Sequence, residues 1–441
     1  MTASPRVALF CETYHEINGV ALTARQLVAY AKRHDLPLLA IHGGKNPGVW
    51  NEGKVRRTEL KRSWGSVGIE RDLEYDFFFW RYLNRIRKEL QLFRPEVIHI
   101  TSPGELGQLG VYLSRRLHVP LAASWHTNFH QFAARRFEKL IGFLPGKISR
   151  PAVGWSEEQG LRVLLWFYNF AKVTLAPTQP QVVWLEKELR KPSFLMPRGV
   201  DGEQFNPKRR TVNDETLRLG FVGRVTPEKG VRLLRDIETE LGNRGLDNFR
   251  ILIVGDGSEV RWLKKRLKHG EFAGVLRGED LARAYANMDL FVFPSRTDTF
   301  GNVVQEAAAS GVPSVVTNEG GPRHLVVAGK TGLIAESNGE FVAKVVELAL
   351  DRNRLREMGE AARARVSGVS WDGAFEKTYL AYRACLPGEA AENAVQKKCC
   401  WRERRLARGT PVIRSRVDYL VARGFSPERK GVQGPAFMSR R

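Results

Sequence analysis

The sequence predicts an α/β protein of two domains, each a parallel sheet covered by helices on both faces. Three observations predict it. Short apolar runs alternate with longer amphipathic stretches along most of the chain, a pattern that calls for crossover connections between parallel strands. The alternation restarts after a hydrophilic, proline-bearing segment, residues 197–213. The 441 residues suffice for two full cores.

In order, residues 6–11 (RVALFC), 38–41, 97–101 (VIHIT) and 121–125 read as buried strands, each bounded by Gly, Pro or polar residues. Helical spacing follows; within 22–33, Leu22, Leu27, Val28 and Ala31 share one face. After the break, 217–223 (LRLGFVG), 250–255 (RILIVG), 290–294 (LFVFP) and 314–317 repeat the strand–loop–helix unit. The two series define two Rossmann-like domains, 1–197 and 198–370, with a cleft between them. From residue 387 to 441 Arg, Gly and Pro mix with little periodicity. This tail is expected to be mostly disordered, with one helical stretch at 414–422.

Hydrophobic residues at 43% and charged residues at 27% exclude a disordered chain. The most apolar helical stretch, 163–170, is short and holds Asn169, well below the roughly 18 consecutive apolar residues of a membrane span. The N-terminus lacks a basic region leading into a long apolar segment, so no signal peptide is expected. Four cysteines (Cys11, Cys385, Cys399, Cys400) are too few for a disulfide scaffold, and reducing cytosol is the expected compartment. Net charge is the outlier at +22, with 13 Lys/Arg against 5 Asp/Glu in the tail. Such a surplus favours nucleic acid, a phosphorylated substrate or an anionic membrane as partner.

Two familiar motifs fail. Gly329-Lys330-Thr331 would end a P-loop, but His324 stands where its first glycine belongs. Gly255-Asp256-Gly257 follows a strand, but Val260 occupies the third glycine position of a dinucleotide fingerprint. The histidines show no HExxH-type spacing, so no metal site is expected. The informative segment is 293–313, FPSRTDTFGNVVQEAAASGVP. A strand ends at Pro294, a polar loop carries Asp298, and Phe300-Gly301-Asn302 leads into a helix whose free N–H groups suit a phosphate. Glu306 lies one turn inside that helix. Taken alone, the two carboxylates fit a solvated loop Asp and a dipole-favoured Glu better than a site. A second segment, FVGRVTPEKG at 221–230, sets Arg224 and Lys229 around a turn after a strand, where a fork and a point charge can hold a diphosphate.

Together these segments resemble the donor-binding half of the retaining, nucleotide-sugar-dependent glycosyltransferases with the two-domain GT-B fold. The resemblance is strongest to the glycogen-synthase-like family 4 (group 1), which includes bacterial lipid mannosyltransferases and sulfoquinovosyltransferases. Further pieces agree in order and spacing. Ile17-Asn18-Gly19-Val20 resembles the family's glycine loop after the first strand, and Ser124-Trp125-His126-Thr127-Asn128 its S-Y/W-H-T strand end. Arg198-Gly199-Val200-Asp201 with Phe205 and Pro207 looks like the interdomain segment, and Gly320-Gly321-Pro322 precedes a helix. Residues 371–386 resemble the closing helix that packs back on the N-terminal domain. Where the family usually carries Glu, this chain has Asp298, in the T-D-T-F-G form of related lipid-modifying members.

The resemblance implies a site. Arg224 and Lys229 would neutralise the leaving diphosphate, helped by backbone N–H groups at Asn302 and Val303 and, across the cleft, at Gly19. Glu306 would accept from the ribose, Asp298 with Phe300 and Gly301 would orient the sugar, and His126 would lie against its reacting face. The implied reaction transfers a hexose with retention and without cofactor or metal. The expected donor is GDP-mannose, with a UDP-sugar as the alternative, since the base pocket around Arg261 and residues 277–280 is not resolved by sequence. The expected acceptor is a membrane lipid, met at the inner face of the cytoplasmic membrane. Residues 129–150, where Arg135, Arg136, Lys139, Lys147 and Arg150 interleave with large apolar groups, suit an anionic bilayer. A non-catalytic sugar-nucleotide binder is disfavoured by the joint presence of Arg224, Lys229, Glu306 and His126. No helix-turn-helix or aromatic-basic motif supports nucleic acid.

Overall fold

The computed structural model describes residues 4–16, 18–63, 67–70, 73–76, 78–126 and 146–386. The tail with its expected helix at 414–422, Ile17, Thr127, Asn128 and residues 129–145 of the expected docking segment lie outside them.

The N-terminal half runs β1 (Val7–Cys11), α1 (Gly19–Arg33), β2 (Leu38–Gly44), β3 (Gly48–Glu52), β4 (Val55–Lys61) and a small hairpin, β5 (Val67–Glu70) with β6 (Leu73–Tyr75). It continues through α2 (Leu83–Phe93), β7 (Val97–Ile100), α3 (Glu105–Arg116), β8 (Leu121–Ser124), α4 (Gly146–Tyr168), β9 (Val173–Ala176), α5 (Gln179–Leu189) and β10 (Ser193–Leu195). These strands form an eight-stranded sheet in the order β10-β9-β8-β7-β1-β2-β4-β3, parallel except for β3. The C-terminal half runs β11 (Leu217–Val222), α6 (Leu233–Asn243), β12 (Phe249–Val254), α7 (Val260–Lys264), β13 (Gly270–Gly274), α8 (Gly278–Ala286) and β14 (Leu290–Phe293). It ends with α9 (Asn302–Ala309), β15 (Ser314–Thr317), β16 (Gly332–Ala335), α10 (Asn338–Ala349), α11 (Arg352–Val366) and α12 (Trp371–Arg383). Its six-stranded, all-parallel sheet has the order β13-β12-β11-β14-β15-β16, that of a nucleotide-binding doubly wound domain.

Every run read as a strand from sequence is one; most end a residue early, while 38–41 continues to Gly44. The central strands β1, β7, β8, β14 and β15 are buried along their whole length, which is why they read as unbroken apolar runs. By contrast β3, β4 and β13 carry charged or glycine-rich sequences (GVWNE, VRRTELK, GEFAG) at or near sheet edges, and give no such signal.

The chain returns to its first domain at the end. On α12, Trp371, Phe375, Tyr379 and Tyr382 recur at helical spacing and pack with Val7, Leu9, Leu27, Val28 and Leu175 in one core. Burying side chains of this size stabilises by roughly 1.5–3 kcal/mol each. Ser370 caps the helix by accepting from the Gly373 N–H at 3.1 Å. Tyr382 reaches further, hydrogen-bonding His99 Nδ1 at 2.8 Å, and His99 Nε2 in turn meets Ser124 Oγ. The end of the chain therefore supports the strand that leads to His126.

Candidate functional site

In open parallel sheets ligands collect where the strand order reverses, because the loops leaving the two central strands part to opposite faces. In the C-terminal sheet that point lies between β11 and β14, whose following loops hold Arg224, Lys229 and Asp298. In the N-terminal sheet it lies between β1 and β7, with the β8 loop and His126 beside it.

The two crevices face each other. Gly19, first residue of α1, is so close to Asn302, first residue of α9, that a Cβ on it would lie 3.6 Å from Asn302 Nδ2. Two helix N-termini thus converge on one space, each offering unpaired N–H groups and the positive end of its dipole. Asn18 fixes the first by accepting from the Ala21 N–H at 2.8 Å. Gly301 starts the second at φ +95, a conformation that side chains resist, and a Cβ there would stand 2.9 Å from Pro322 Cγ. Thr299 Oγ1 donates to the His126 carbonyl across the cleft, tying the Asp298 loop to the β8 loop.

Sequence places Lys229 at a turn after a strand; the structure buries it to 8% exposure. Its Nζ lies 2.7 Å from both Asp298 oxygens, and Ser295 Oγ donates to Asp298 Oδ2 at 2.5 Å. Burial opposes ionisation of Asp298, but the charge and hydrogen bond of Lys229, the Ser295 hydroxyl and the charge of Arg224 together hold it below the usual carboxylate range. Arg224, half-buried after β11, therefore acts on the same spot. Glu306 sits on α9 and accepts from the Tyr285 hydroxyl at 2.8 Å. Burial pushes its carboxyl up to about 7, and the Tyr285 hydrogen bond pulls the other way. Phe300 is buried, and Val303 opens the helix half-buried behind Asn302. The expected residues are gathered, and three of them already have partners that sequence did not foresee.

His126 is 6% exposed. Arg198, itself 4% exposed, sends Nη2 to His126 Nδ1 at 2.5 Å and Nη1 to the Met196 carbonyl at 3.4 Å. Burial, then the Arg198 charge, then His99 depress the His126 pKa well below its ordinary value, so the ring is neutral. Among the described residues its buried Nε2 has no hydrogen-bond partner.

Sequence reasoning missed four side chains here. Tyr285 reads as an apolar-face aromatic of α8, which it also is, packing on Phe205 and Phe291. Ser295 and Thr299 are ordinary loop residues until the loop folds. Glu12, just past β1, is 2% exposed, and among the described residues no side chain hydrogen-bonds its carboxylate oxygens. It abuts Gly104 at the start of α3, where a Cβ would come within 1.9 Å of Oε2. Burial pushes its carboxyl up to about 8 against the pull of Arg62, with Glu105 and Glu16 adding to the rise. One histidine group also escaped notice: ligand atoms of His15, His42 and Glu59 lie within 4.8 Å of one another. His15 Nε2 meets Glu59 Oε2 at 2.8 Å, and His42 stacks on Tyr14. The rejected Gly255-Asp256-Gly257 has a structural use: side chains there would run into the Gly223 and Val225 carbonyls of the neighbouring loop. Among the described residues no helix is long and apolar enough to cross a membrane.

Comparison with known proteins fits this geometry. The chain matches the family model described as Glycosyl transferases group 1 over residues 216–351, and that described as Glycosyltransferase Family 4 over 17–204. It is 31% identical over 309 residues to a GDP-mannose-dependent alpha-mannosyltransferase of Corynebacterium glutamicum, covering 68% of each chain. It is 35% identical over 310 residues to the protein of the same description from Mycolicibacterium smegmatis, covering 67% of this chain and 76% of that one. Among solved structures, sucrose-phosphate synthase from Thermosynechococcus elongatus superposes with a TM-score of 0.68 at 16% identity, covering 86% of this chain and 98% of that one.

Proposed function

The chain belongs to the family 4, group 1 glycosyltransferases and transfers a sugar from a nucleotide sugar; from that premise we propose a retaining, metal-independent mannosyltransferase that uses GDP-mannose and a lipid hydroxyl. The observation that carries the donor reading is the convergence of two helix N-termini, at Gly19 and Asn302, on the space beside Arg224 and Lys229. Such a cradle suits a diphosphate. Two relatives described as GDP-mannose-dependent support the choice of sugar and base.

In this reading the diphosphate draws Lys229 away from Asp298 as it enters, which leaves the Asp298 oxygens for the sugar hydroxyls. Glu306, oriented by Tyr285, takes the ribose. The bond from the anomeric carbon to the phosphate oxygen breaks while the acceptor oxygen bonds to the same face. The acceptor proton passes to the departing phosphate. Arg224, Lys229 and the helix N-termini absorb the charge a metal would otherwise balance.

The lipid reading draws support from an exposed aromatic face on the N-terminal domain. Trp80 meets Tyr112 edge-on at 5.6 Å, the Arg115 guanidinium lies 4.4 Å over Phe170, and Phe170 meets Trp166, which is 63% exposed. Amphipathic rings interleaved with arginine suit an anionic headgroup layer, and the +22 charge favours it.

Incubation with a panel of nucleotide sugars tests the donor. GDP-mannose should be hydrolysed slowly without acceptor, in the presence of a chelator, and proton NMR should show the α-anomer released first. Preference for a UDP-sugar would replace the donor; release of the β-anomer would end the retaining assignment. Co-sedimentation with vesicles tests the surface. Binding should require anionic lipid, fall with salt, and survive removal of residues 387–441.

A further inference from the structure

His126 and Arg198 form a pair whose direction is set by chemistry alone. A guanidinium has five N–H donors and no acceptor. Its contact with His126 Nδ1 at 2.5 Å is therefore a hydrogen bond in which Arg198 donates and the imidazole accepts. Nδ1 must be bare, and a neutral ring then carries its proton on Nε2. That atom is buried, has no partner among the described residues, and belongs to the residue whose carbonyl is tied across the cleft to Thr299.

We propose that Arg198 is a positioning residue that locks His126 as a permanent N–H donor toward an oxygen of the donor hexose, and so removes it from proton transfer. The arrangement inverts the histidine of a catalytic triad. There a carboxylate accepts from one ring nitrogen and leaves the other free to take a proton; here a cation donates to one nitrogen and obliges the other to donate. A cation behind the ring also polarises the Nε2–H, making it a stronger donor than an isolated imidazole. An empty position this deep in the protein costs stability unless a ligand fills it. An oxygen lone pair fits it; a second N–H or a methyl group does not.

Two charged or titratable groups act on the ring. Burial keeps Arg198 down to about 9, still a cation at neutral pH, and no carboxylate lies within ion-pair distance of it among the described residues. His99 is held neutral at about 3 by burial and the Arg198 charge. His126 itself is neutral for the reasons given above. With a cation on one side and no acid opposite, the ring has no route to the imidazolium in the physiological range.

The consequence for the reaction is that the acceptor's proton does not go to His126. The proposal rests on the donor-site reading only for what meets the N–H; the tautomer belongs to the unliganded protein and is read without turnover. Nitrogen-15 NMR of the full-length protein labelled at histidine, with the signal assigned by loss in His126→Gln, should show Nε2 protonated and Nδ1 bare, unchanged from pH 5.5 to 8. An Nδ1–H form, or an imidazolium titrating in that window, would overturn the proposal. In Arg198→Leu both tautomers should appear and the ring should titrate, while Arg198→Lys should restore the single form; persistence of the single form in Arg198→Leu would also overturn it. The catalytic arm uses donor hydrolysis. Glutamine can offer its amide N–H near the Nε2 position but exchanges no protons, so His126→Gln should stay within about tenfold of wild type. His126→Ala should lose roughly 10²-fold, the usual cost of one preorganised donor. If His126→Gln is as slow as His126→Ala, the donor role is wrong. A wild-type protein that hydrolyses no nucleotide sugar yet shows the fixed Nε2–H signal would support the tautomer and remove the function proposed above instead.

Discussion

The two strand-order reversals of this molecule are built by different means. The one in the C-terminal sheet is shaped by backbone. Of the 13 glycines with positive φ among the described residues, all but Gly53 lie at or beyond Gly223, and Gly230, Gly255 and Gly257 let the β11, β12 and β14 loops pack closely on one another. Its two site carboxylates are also matched: Asp298 to Lys229, Glu306 to Tyr285. The one in the N-terminal sheet holds Glu12, whose oxygens no side chain meets, and His126, whose Nε2 has no partner among the described residues. A diphosphate is the same in every nucleotide sugar and can be met by fixed N–H groups and cations. In the proposed reading the partner of the N-terminal crevice is recognised by particular side chains, which it satisfies on arrival.

The largest effects should come from breaking the matched side. Arg224→Ala and Lys229→Ala should each lower turnover by about 10²–10³. The two should part in stability. Lys229 is buried and Asp298 depends on it, so Lys229→Ala leaves a carboxylate unpaired and should cost about 1–3 kcal/mol. Adding Asp298→Asn should restore the melting temperature and not the rate. Melting curves that do not separate the two variants would mean the ion pair is idle in the free protein.

Next in size is the division between the carboxylates. Glu306→Gln should weaken the nucleoside diphosphate alone by about 10- to 100-fold, as a lost charged hydrogen bond would. Asp298→Asn should leave that affinity nearly intact and slow transfer. Calorimetry with the nucleotide distinguishes them, and equal losses would defeat the assignment.

A pH series sharpens the comparison. With Glu306 raised to about 7, its charged form is the one the ribose prefers, so nucleotide affinity should rise from pH 6 to 8 beyond what the phosphate's own ionisation gives. The extra slope should vanish in Glu306→Gln. Tyr285→Phe removes a hydrogen bond that lowers this pKa, and should move the midpoint upward. Glu12 should behave oppositely, and in stability. Its folded pKa of about 8 stands above the ordinary glutamate value of 4.5, so the folded state holds its proton longer than the unfolded one. That stabilisation is full below about pH 4.5 and is lost as pH rises through 8. Denaturant midpoints of Glu12→Gln should be flatter than wild type over that window.

The smallest effect belongs to the bond between the two sides. Thr299→Val deletes one neutral hydrogen bond, worth about 1 kcal/mol, or roughly fivefold in transfer rate. Nucleotide affinity should not change, because the bond touches only the His126 loop. An equal fall in both would place Thr299 in the nucleotide site.

Sequence alone determined the two-domain α/β architecture, because buried parallel strands are apolar throughout and the alternation with helices survives any arrangement of loops. It also determined the residues of the cradle, since FVGRVTPEKG and TDTFGNVVQEAAASGVP carry their chemistry within a few positions. Edge strands such as β13, with its GEFAG sequence, stayed illegible for want of an apolar face. Only the tertiary structure decided who meets whom. Lys229 and Asp298 are 69 residues apart, His126 and Arg198 are 72, and Thr299 and the His126 carbonyl are 173. Periodicity and loop chemistry report on neighbours within a turn or two of chain. Pairings at these separations depend on strand order and on the meeting of two domains, so a cation that sequence assigns to a diphosphate is found on a carboxylate, and a histidine expected against the sugar is found accepting from an arginine.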